Sequence, residues 1–493
     1  MVTIVALLFA AAVILLPNLG DQLLWQDEAQ TALISETVLA RGIPYGFDGK
    51  NYLSQELGAE YGRNYVWKWH TWLPFYVTAA SFSILGHNTF AARAPFALFG
   101  MLTIMLTFFF SKDLFSNLRT AWFSSLLLGL NVPFLVLSRQ CRWYSMAAFF
   151  CLLALYAYAR MLRGHRHSSA LLVAAIVLTF HTHYIYAFSL GLAIVLHAAL
   201  FERTKFIKVA LLCLAAMGIN LPWIIWLSGM KYADQYGAQI MQCGTFVALG
   251  ARFAAKLYLH TGMTAAAVAL GIFLIARWVG KRRIACPNRQ ASSGLWLIAL
   301  FVAFTVGALS AFSPDSFYRY LAPIIPPTVV VVALTISLVF HVHRFVGIAA
   351  LLAAILLEPV PSYIYEITHH YVGPMDGIVG YLKAHGTPND TAAITFEDMP
   401  VKFYTKMRVV GGLTGEDLTP AKNARWVIVR KYIISDKDAR VREYLVQNVD
   451  FTRYLPTTID YPDIAYENRE EPGEHLFRTS NSKDRIIICK RTE

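Results

Sequence analysis

The sequence predicts a mostly α-helical, polytopic membrane bundle of about eleven spans with a small C-terminal α/β domain. Three observations predict it. The 493 residues are 56% hydrophobic and 15% charged, against about 25% charged in a soluble domain. Eleven stretches are apolar enough for a spanning helix, which needs about 20 mostly apolar residues. Beyond residue 361 the apolar stretches cease and short mixed segments replace them.

The eleven stretches are 3–19, 89–110, 119–137, 144–161, 169–183, 185–201, 207–228, 260–277, 294–312, 321–340 and 345–361. The first lacks a basic leading region, so it reads as an uncleaved span and not as a signal peptide. A twelfth stretch, "HTWLPFYVTAASFSILG" (70–86), is short and opens on His, Trp and Pro. Charge decides its reading. If it lies at the interface with an aromatic belt, one set of loops (111–119, 160–168, 202–208, 277–293, 341–344) holds fourteen Lys and Arg against two acids, Asp113 and Glu202. That is the bias of cytoplasmic loops. If 70–86 crossed the membrane, all five loops would face outward.

Two domains are therefore expected. Residues 1–361 form a transmembrane domain with an extracytoplasmic first loop, 20–88. Residues 362–493 form an extracytoplasmic α/β domain, in which "GIVGYLKAHG" and "DKDARVREYLVQ" read as helices and "TAAITF", "ARWVIVRKYII" and "DRIIICK" as strands. The expected location is the cytoplasmic (inner) membrane.

Composition also excludes some functions. The net charge of +12 would hint at nucleic acid in a soluble chain. Here the cations sit in the cytoplasmic loops, so no nucleic-acid partner is expected. None of the six cysteines forms a CxxC pair, so neither a zinc site nor a disulfide framework is indicated. No Walker loop and no strand-linked G-x-G-x-x-G is present. A membrane-delivered activated substrate suits outer-face chemistry better than a nucleotide donor.

The candidate chemistry begins at "LLWQDEAQTALISETVLARGIPYG" (23–46). Asp27 can be read as the N-cap of a helix, with Gln30 completing a capping box and Gly42 and Pro44 as stop signals. It can equally be read as a general base, since partial desolvation at a membrane surface raises carboxylate basicity. Glu28 points about 100° away on a helix, so it would orient the base, ligate a metal or hold structure. "LSRQCRWYSMAAFF" (137–150) puts Arg139 and Arg142 at the outer end of a span. "SPDSFYRYLAP" (313–323) puts Arg319 there between Tyr318 and Tyr320. Lys68, in "VWKWHTW", is a fourth outer cation. Snorkelling explains one such residue; several point to an anionic ligand, for which the guanidinium fork suits phosphate. "FHTHYIY" (180–186) offers His181 and His183, but spacing identifies no third metal ligand.

These segments together resemble the GT-C glycosyltransferases, specifically the protein O-mannosyltransferase and lipid A aminoarabinose transferase group (glycosyltransferase family 39-like). The resemblance runs over roughly 1–340 and is most specific in the first motif. It implies an inverting sugar transfer at the outer face from a polyprenyl-phosphate-linked donor. Asp27 would be the base, with Glu28 beside it in the catalytic pair. Lys68, Arg139, Arg142 and Arg319 would hold the donor phosphate, and His70, Tyr144, His181, His183, Tyr318 and Tyr320 would line the substrate pocket. Some relatives carry a second acid where Tyr144 stands here. No cofactor is implied for certain; a divalent metal ion is a candidate. The expected partners are the lipid-linked donor, membrane lipids and an acceptor lipid, glycan or protein. A transporter or flippase of lipid-linked sugars is the rival reading, although no inverted repeat or mid-membrane broken helix is evident in the sequence.

Overall fold

The computed structural model describes residues 2–228, 243–280, 289–313, 315–370, 373–431, 436–464 and 483–492. The helices come in the order α1 (Val2–Leu15), α2 (Gln26–Arg41), α3 (Leu73–Leu85), α4 (Thr89–Phe115), α5 (Leu118–Gly129), α6 (Val132–Ser138), α7 (Tyr144–Leu162), α8 (Ser168–Thr182), α9 (Tyr184–Phe201), α10 (Phe206–Ser228), α11 (Cys243–His260), α12 (Met263–Gly280) and α13 (Arg289–Phe312). A 3-10 segment, Tyr318–Ile324, leads into α14 (Ile325–Val342), followed by α15 (Arg344–Leu356) and α16 (Val360–Thr368). The chain divides into two compact units: one takes Phe96–Tyr365 with the first helix, the other Asn18–Pro95 with the described residues from Glu366 onward.

The first unit is the helix bundle. Among the described residues six helices are long and apolar enough to cross a membrane, or up to eight if each of two bent pairs is one span. The protein is therefore a multi-pass membrane protein. Where the sequence suggests one span at 119–137, the chain makes two helices, α5 and α6, bent by 63°. The break has local causes: Asn131 caps α6 by accepting from Phe134 N–H, and Pro133 stands in its first turn, where proline is tolerated because its missing N–H had no helical partner. The second bend, 43° between α15 and α16, lies beside the first. Asn131 Nδ2 donates to Glu358 Oε1 at 2.8 Å and Val132 N–H donates to Oε2 at 3.1 Å. Each break thus satisfies polar groups that an apolar surrounding would leave costly. The most buried spans are α7 and the stretch from the 3-10 segment through α14, at 72% and 78% of their windows. The chain ahead of each of these two helices is where the bundle's candidate residues gather. The sequence reading also left out α11, whose Arg252 and Lys256 interrupt its apolar run.

The second unit joins the first loop to the C-terminal residues. Its sheet contains β1 (Thr391–Ile394), β2 (Arg408–Gly411), β3 (Trp426–Ile428), β4 (Tyr454–Pro462) and β5 (Arg485–Arg491) in the order β2-β1-β3-β5-β4. β1 runs parallel to β2 and β3, while β5 is antiparallel to β3 and β4. Besides α2 and α3 of the first loop, its described residues include α17 (Pro374–His385), α18 (Asp398–Thr405) and α19 (Asp436–Asn448). Ile378, Leu382 and Val401 of α17 and α18 pack with Ile394, Trp426 and Ile488 into one core. Val441 and Leu445 of α19 pack with Val410 and Val427 into another. Leu23 of the first loop joins the first of these cores, and α2 packs against both α3 and α18. The helix α3 has 13 residues, fewer than the roughly 20 a span requires.

Candidate active site

The first turn of α2 is held from both sides. Trp25, and not Asp27, is the N-cap, which corrects the capping reading of Asp27. Asp27 is the second helical residue and is partly exposed; there a carboxylate is favoured by the helix dipole without serving as a cap. Glu28, three residues past the cap, reaches back so that Oε2 accepts from Trp25 N–H at 3.3 Å. Glu28 is fully buried and Arg93 nearly so. The Arg93 guanidinium clasps Glu28 with both arms, Nε to Oε1 at 2.8 Å and Nη2 to Oε2 at 2.6 Å. Its remaining N–H groups donate to the carbonyls of Leu19, Gln22 and Leu23 at 2.9–3.2 Å. A bidentate pair with its spare donors satisfied is the arrangement in which a buried charge pair holds geometry. On the other side of Asp27, Gln26 Nε2 donates to Asp398 Oδ1 at 2.8 Å and Gln26 Oε1 accepts from Met399 N–H at 3.2 Å. The helix then runs to Arg41 and stops at Gly42, whose φ of +81° is the left-handed conformation glycine adopts without strain.

The rest of the first loop folds into a knot of short bridges, Tyr45 to Val66, Phe47 to Tyr52 and Tyr61 to Trp67. Lys68 continues it, its N–H donating to Glu60 O at 2.8 Å. His70 is buried between Trp67 and Phe75, with ring centroids 5.7 and 5.4 Å away. Glu60 is the knot's buried acid. It accepts from Ser54 Oγ and from the N–H groups of Gln55 and Glu56 at 2.6 and 3.1 Å. Burial nevertheless pushes its carboxyl up to about 7.

The bundle holds the cations. Arg139 closes α6, and its Nη1 donates to Leu15 O at 2.7 Å. Arg142 lies in the short link before α7, and the next residue, Trp143, is the hub of an aromatic cluster. Its ring centroid is 4.6 Å from Tyr144, 4.5 Å from His183, 5.4 Å from Tyr186 and 6.3 Å from Tyr320, the last stacked at 13°. Tyr186 fastens the cluster to the 3-10 segment by donating from its hydroxyl to Tyr320 O at 2.9 Å. Arg142 lies within electrostatic reach of His183, and Arg319 of Tyr186. The Arg319 guanidinium stacks over Phe317 at 4.4 Å and Tyr320 at 5.5 Å. Tyr318 is buried edge-on to His260, 5.2 Å away.

The bundle therefore brings Arg142, Tyr144, His183, Arg319 and Tyr320 together around Trp143. His181 is not among them: it packs edge-on to Trp223 at 5.2 Å. Sequence reasoning passed over Trp143, inside a quoted motif, and over Lys256, whose Nζ donates to Ser316 O at 2.6 Å in the loop ahead of Arg319. It also passed over Arg93, which looks like one more residue of an apolar helix. Among the described residues no group of three or more His, Cys, Asp and Glu side chains is placed to hold a metal ion. Glu28, considered as a ligand, has both oxygens on Arg93, so the residues around Asp27 do not assemble a ligand set.

A bundle of membrane helices with a mixed α/β unit built partly from the first loop is the fold of the solved GT-C membrane glycosyltransferases. The chain has that fold. Residues 69–226 match the family model described as dolichyl-phosphate-mannose-protein mannosyltransferase; the motif around Asp27 lies ahead of the matched segment. Over 99% of its length the chain superposes on 97% of ArnT from Cupriavidus metallidurans bound to undecaprenyl phosphate, with a TM-score of 0.60 and 14% identity. It also covers 72% of the archaeal oligosaccharyltransferase AglB from Archaeoglobus fulgidus, solved with an inhibitory peptide and a dolichol-phosphate. There the superposition takes in 93% of this chain, with a TM-score of 0.58 and 12% identity. No curated protein sequence matches the chain significantly.

Proposed function

We propose that the protein transfers a sugar from a polyprenyl-phosphate-linked donor to an acceptor hydroxyl at the outer face of the cytoplasmic membrane. The observation that carries this reading is the setting of Asp27. It is a partly exposed carboxylate that does not cap its helix, and its two neighbours in sequence are both fixed by buried polar partners. The undecaprenyl phosphate bound by ArnT and the dolichol-phosphate in AglB support the donor class. The orientation rests on charge: the basic loops would lie inside and the first loop outside.

In this reading Asp27 takes the proton of the acceptor hydroxyl as its oxygen attacks the anomeric carbon. The bond from that carbon to the phosphate oxygen breaks on the opposite face, inverting the centre, and polyprenyl phosphate leaves carrying the electron pair. Arg139, Arg142, Arg319 and Lys68 meet the charge that develops on the phosphate, the task for which fixed cations in a water-poor site are worth most. Tyr320, partly exposed beside Arg319 and backed by the buried Trp143, gives the sugar and the lipid head an apolar face. Glu28 is a positioning residue whose carboxylate belongs to Arg93.

Deletion of the gene, with complementation by wild type and by Asp27→Asn, tests the reading. Envelope glycans, glycolipids and glycoproteins are compared by mass spectrometry. The expected result is a sugar lost on deletion, restored by wild type and reduced about 10²–10⁴-fold with Asp27→Asn at equal abundance, the usual worth of a general base. Full rescue by Asp27→Asn would remove the base and bring the transport reading forward.

A further inference from the structure

Among the described residues, buried charges stand at the C-terminal ends of the parallel strands of the C-terminal domain. In parallel α/β sheets a ligand crevice lies beyond the C-terminal strand ends, where the strand order reverses; here that is β1, flanked by β2 and β3. Buried charge pairs follow β1 and β3 at this end. Arg430 Nε donates to Asp463 Oδ1 at 2.6 Å and its Nη1 to Glu397, all three side chains being almost wholly enclosed. One residue on, Asp398 begins α18 and pairs with Lys402, both side chains fully buried.

From this end α18 reaches into the first loop at four points. Asp398 and Met399 N–H hold the Gln26 amide. Lys402 Nζ donates to Tyr52 O at 2.8 Å, and the Tyr404 hydroxyl accepts from Leu24 N–H at 2.8 Å. The chain makes room for this grip. Gly412 has φ +63°, and a Cβ there would overlap the Asp398 carboxylate, so only glycine lets that carboxylate sit where Gln26 meets it. Three of the four contacts fall on Leu24 and Gln26, directly ahead of Asp27.

We infer that the C-terminal domain is a positioning device for the base: α18, through Asp398, Lys402 and Tyr404, fixes the first turn of α2 so that the Asp27 carboxylate keeps one direction. This deepens the proposed function and rests on Asp27 being its base. Gln26 is the side chain through which Asp398 acts. A carboxylate displaced by about 1 Å loses on the order of a hundredfold in rate, so the grip matters to turnover even where it adds little to stability.

The test uses Gln26→Leu in the full-length protein in membranes. The substitution removes both amide contacts and leaves the Asp398–Lys402 pair intact, which avoids exposing a buried unpaired charge. The readouts are product formation in the complemented deletion strain, thermal stability, and the rate at which a maleimide labels an Asp27→Cys thiol. That labelling is followed at its site by mass spectrometry, with Asp27→Cys alone and with Asp27→Cys combined with Gln26→Leu. Expected are wild-type abundance, a tenfold or greater loss of product, and at least a threefold change in labelling rate. Full product with unchanged labelling for Gln26→Leu, while Asp27→Asn is inactive, would overturn the positioning role alone. Full product with Asp27→Asn would overturn the base and the clamp's catalytic role together. Tyr404→Phe, which removes the Leu24 contact, is expected to lower product less than Gln26→Leu; the reverse order would also count against Gln26 as the transmitting side chain.

Discussion

The acid and the cations are held by opposite physical means. Around Asp27 the fixing groups are buried charges: Glu28 with Arg93, and Asp398 with Lys402. Around Arg319 they are aromatic rings, Phe317 and Tyr320, against a cation that remains partly exposed. A buried pair fixes direction, because breaking it strands a charge in a poorly solvating interior. A guanidinium on a ring face is held weakly and stays hydrated, so it can turn toward a phosphate that arrives and departs. A base must point one way throughout turnover, whereas phosphate ligands must let their product go. The difference between the two regions follows the difference between those tasks.

The largest effect that can break this comparison lies at Arg93. Arg93→Met leaves Glu28 buried without its partner, and Glu28→Ala does the same to Arg93. Each is expected to cost about 3–5 kcal/mol, seen as a fall in abundance and in thermal stability in detergent. Glu28→Gln, which keeps one acceptor for Arg93, should cost less. If both single variants proved as stable as wild type, the first turn of α2 would owe its position to something other than this pair.

Glu60 gives the next effect, and its sign is fixed by linkage. Burial holds its carboxyl at about 7 in the folded chain, above the ordinary value near 4.3. The folded state therefore binds the proton more tightly than the unfolded state. Stability from this group is full at low pH, falls as pH rises from about 4.5 to about 7, and is gone above that. The ceiling is on the order of 3 kcal/mol. Thermal melts between pH 5 and 8 should show the first-loop knot loosening, and Glu60→Gln should flatten that slope. A slope unchanged by the substitution would assign the pH response elsewhere.

Much of this was legible in the residues. Apolar runs announce the bundle, and Gly42 and Gly386 end their helices where the stop signals fall. The arginine motifs 137–150 and 313–323 meet at one cluster because each leads into one of the two most buried helices. What stayed hidden was long-range or mixed. Asp27 looked like a cap because Asp is a common one, whereas Trp25 takes that place and Glu28 supplies the acceptor. No local pattern shows that Gln26 meets Asp398, 372 residues away in the chain. The helix α18 begins after a left-handed Glu397 and contains Pro400, so its eight residues carry only a weak local helix signal. The bends at Asn131 and Glu358 split apolar runs that look continuous, because a buried Asn–Glu contact leaves no trace in hydropathy.

The smallest effect sharpens the other half of the comparison. A cation over a ring at a partly exposed site is worth about 0.5–1 kcal/mol, so Phe317→Leu should lower stability by no more than that and leave the guanidinium to do its work. Arg319→Lys keeps the charge and loses the planar fork that binds phosphate with two parallel bonds. It should change stability just as little but cut product formation about tenfold, with the loss growing as donor becomes scarce. The two variants separate what the ring does from what the fork does. If Phe317→Leu cost as much product as Arg319→Lys, the ring would be fixing the cation as firmly as Arg93 fixes Glu28, and the two regions would not differ after all.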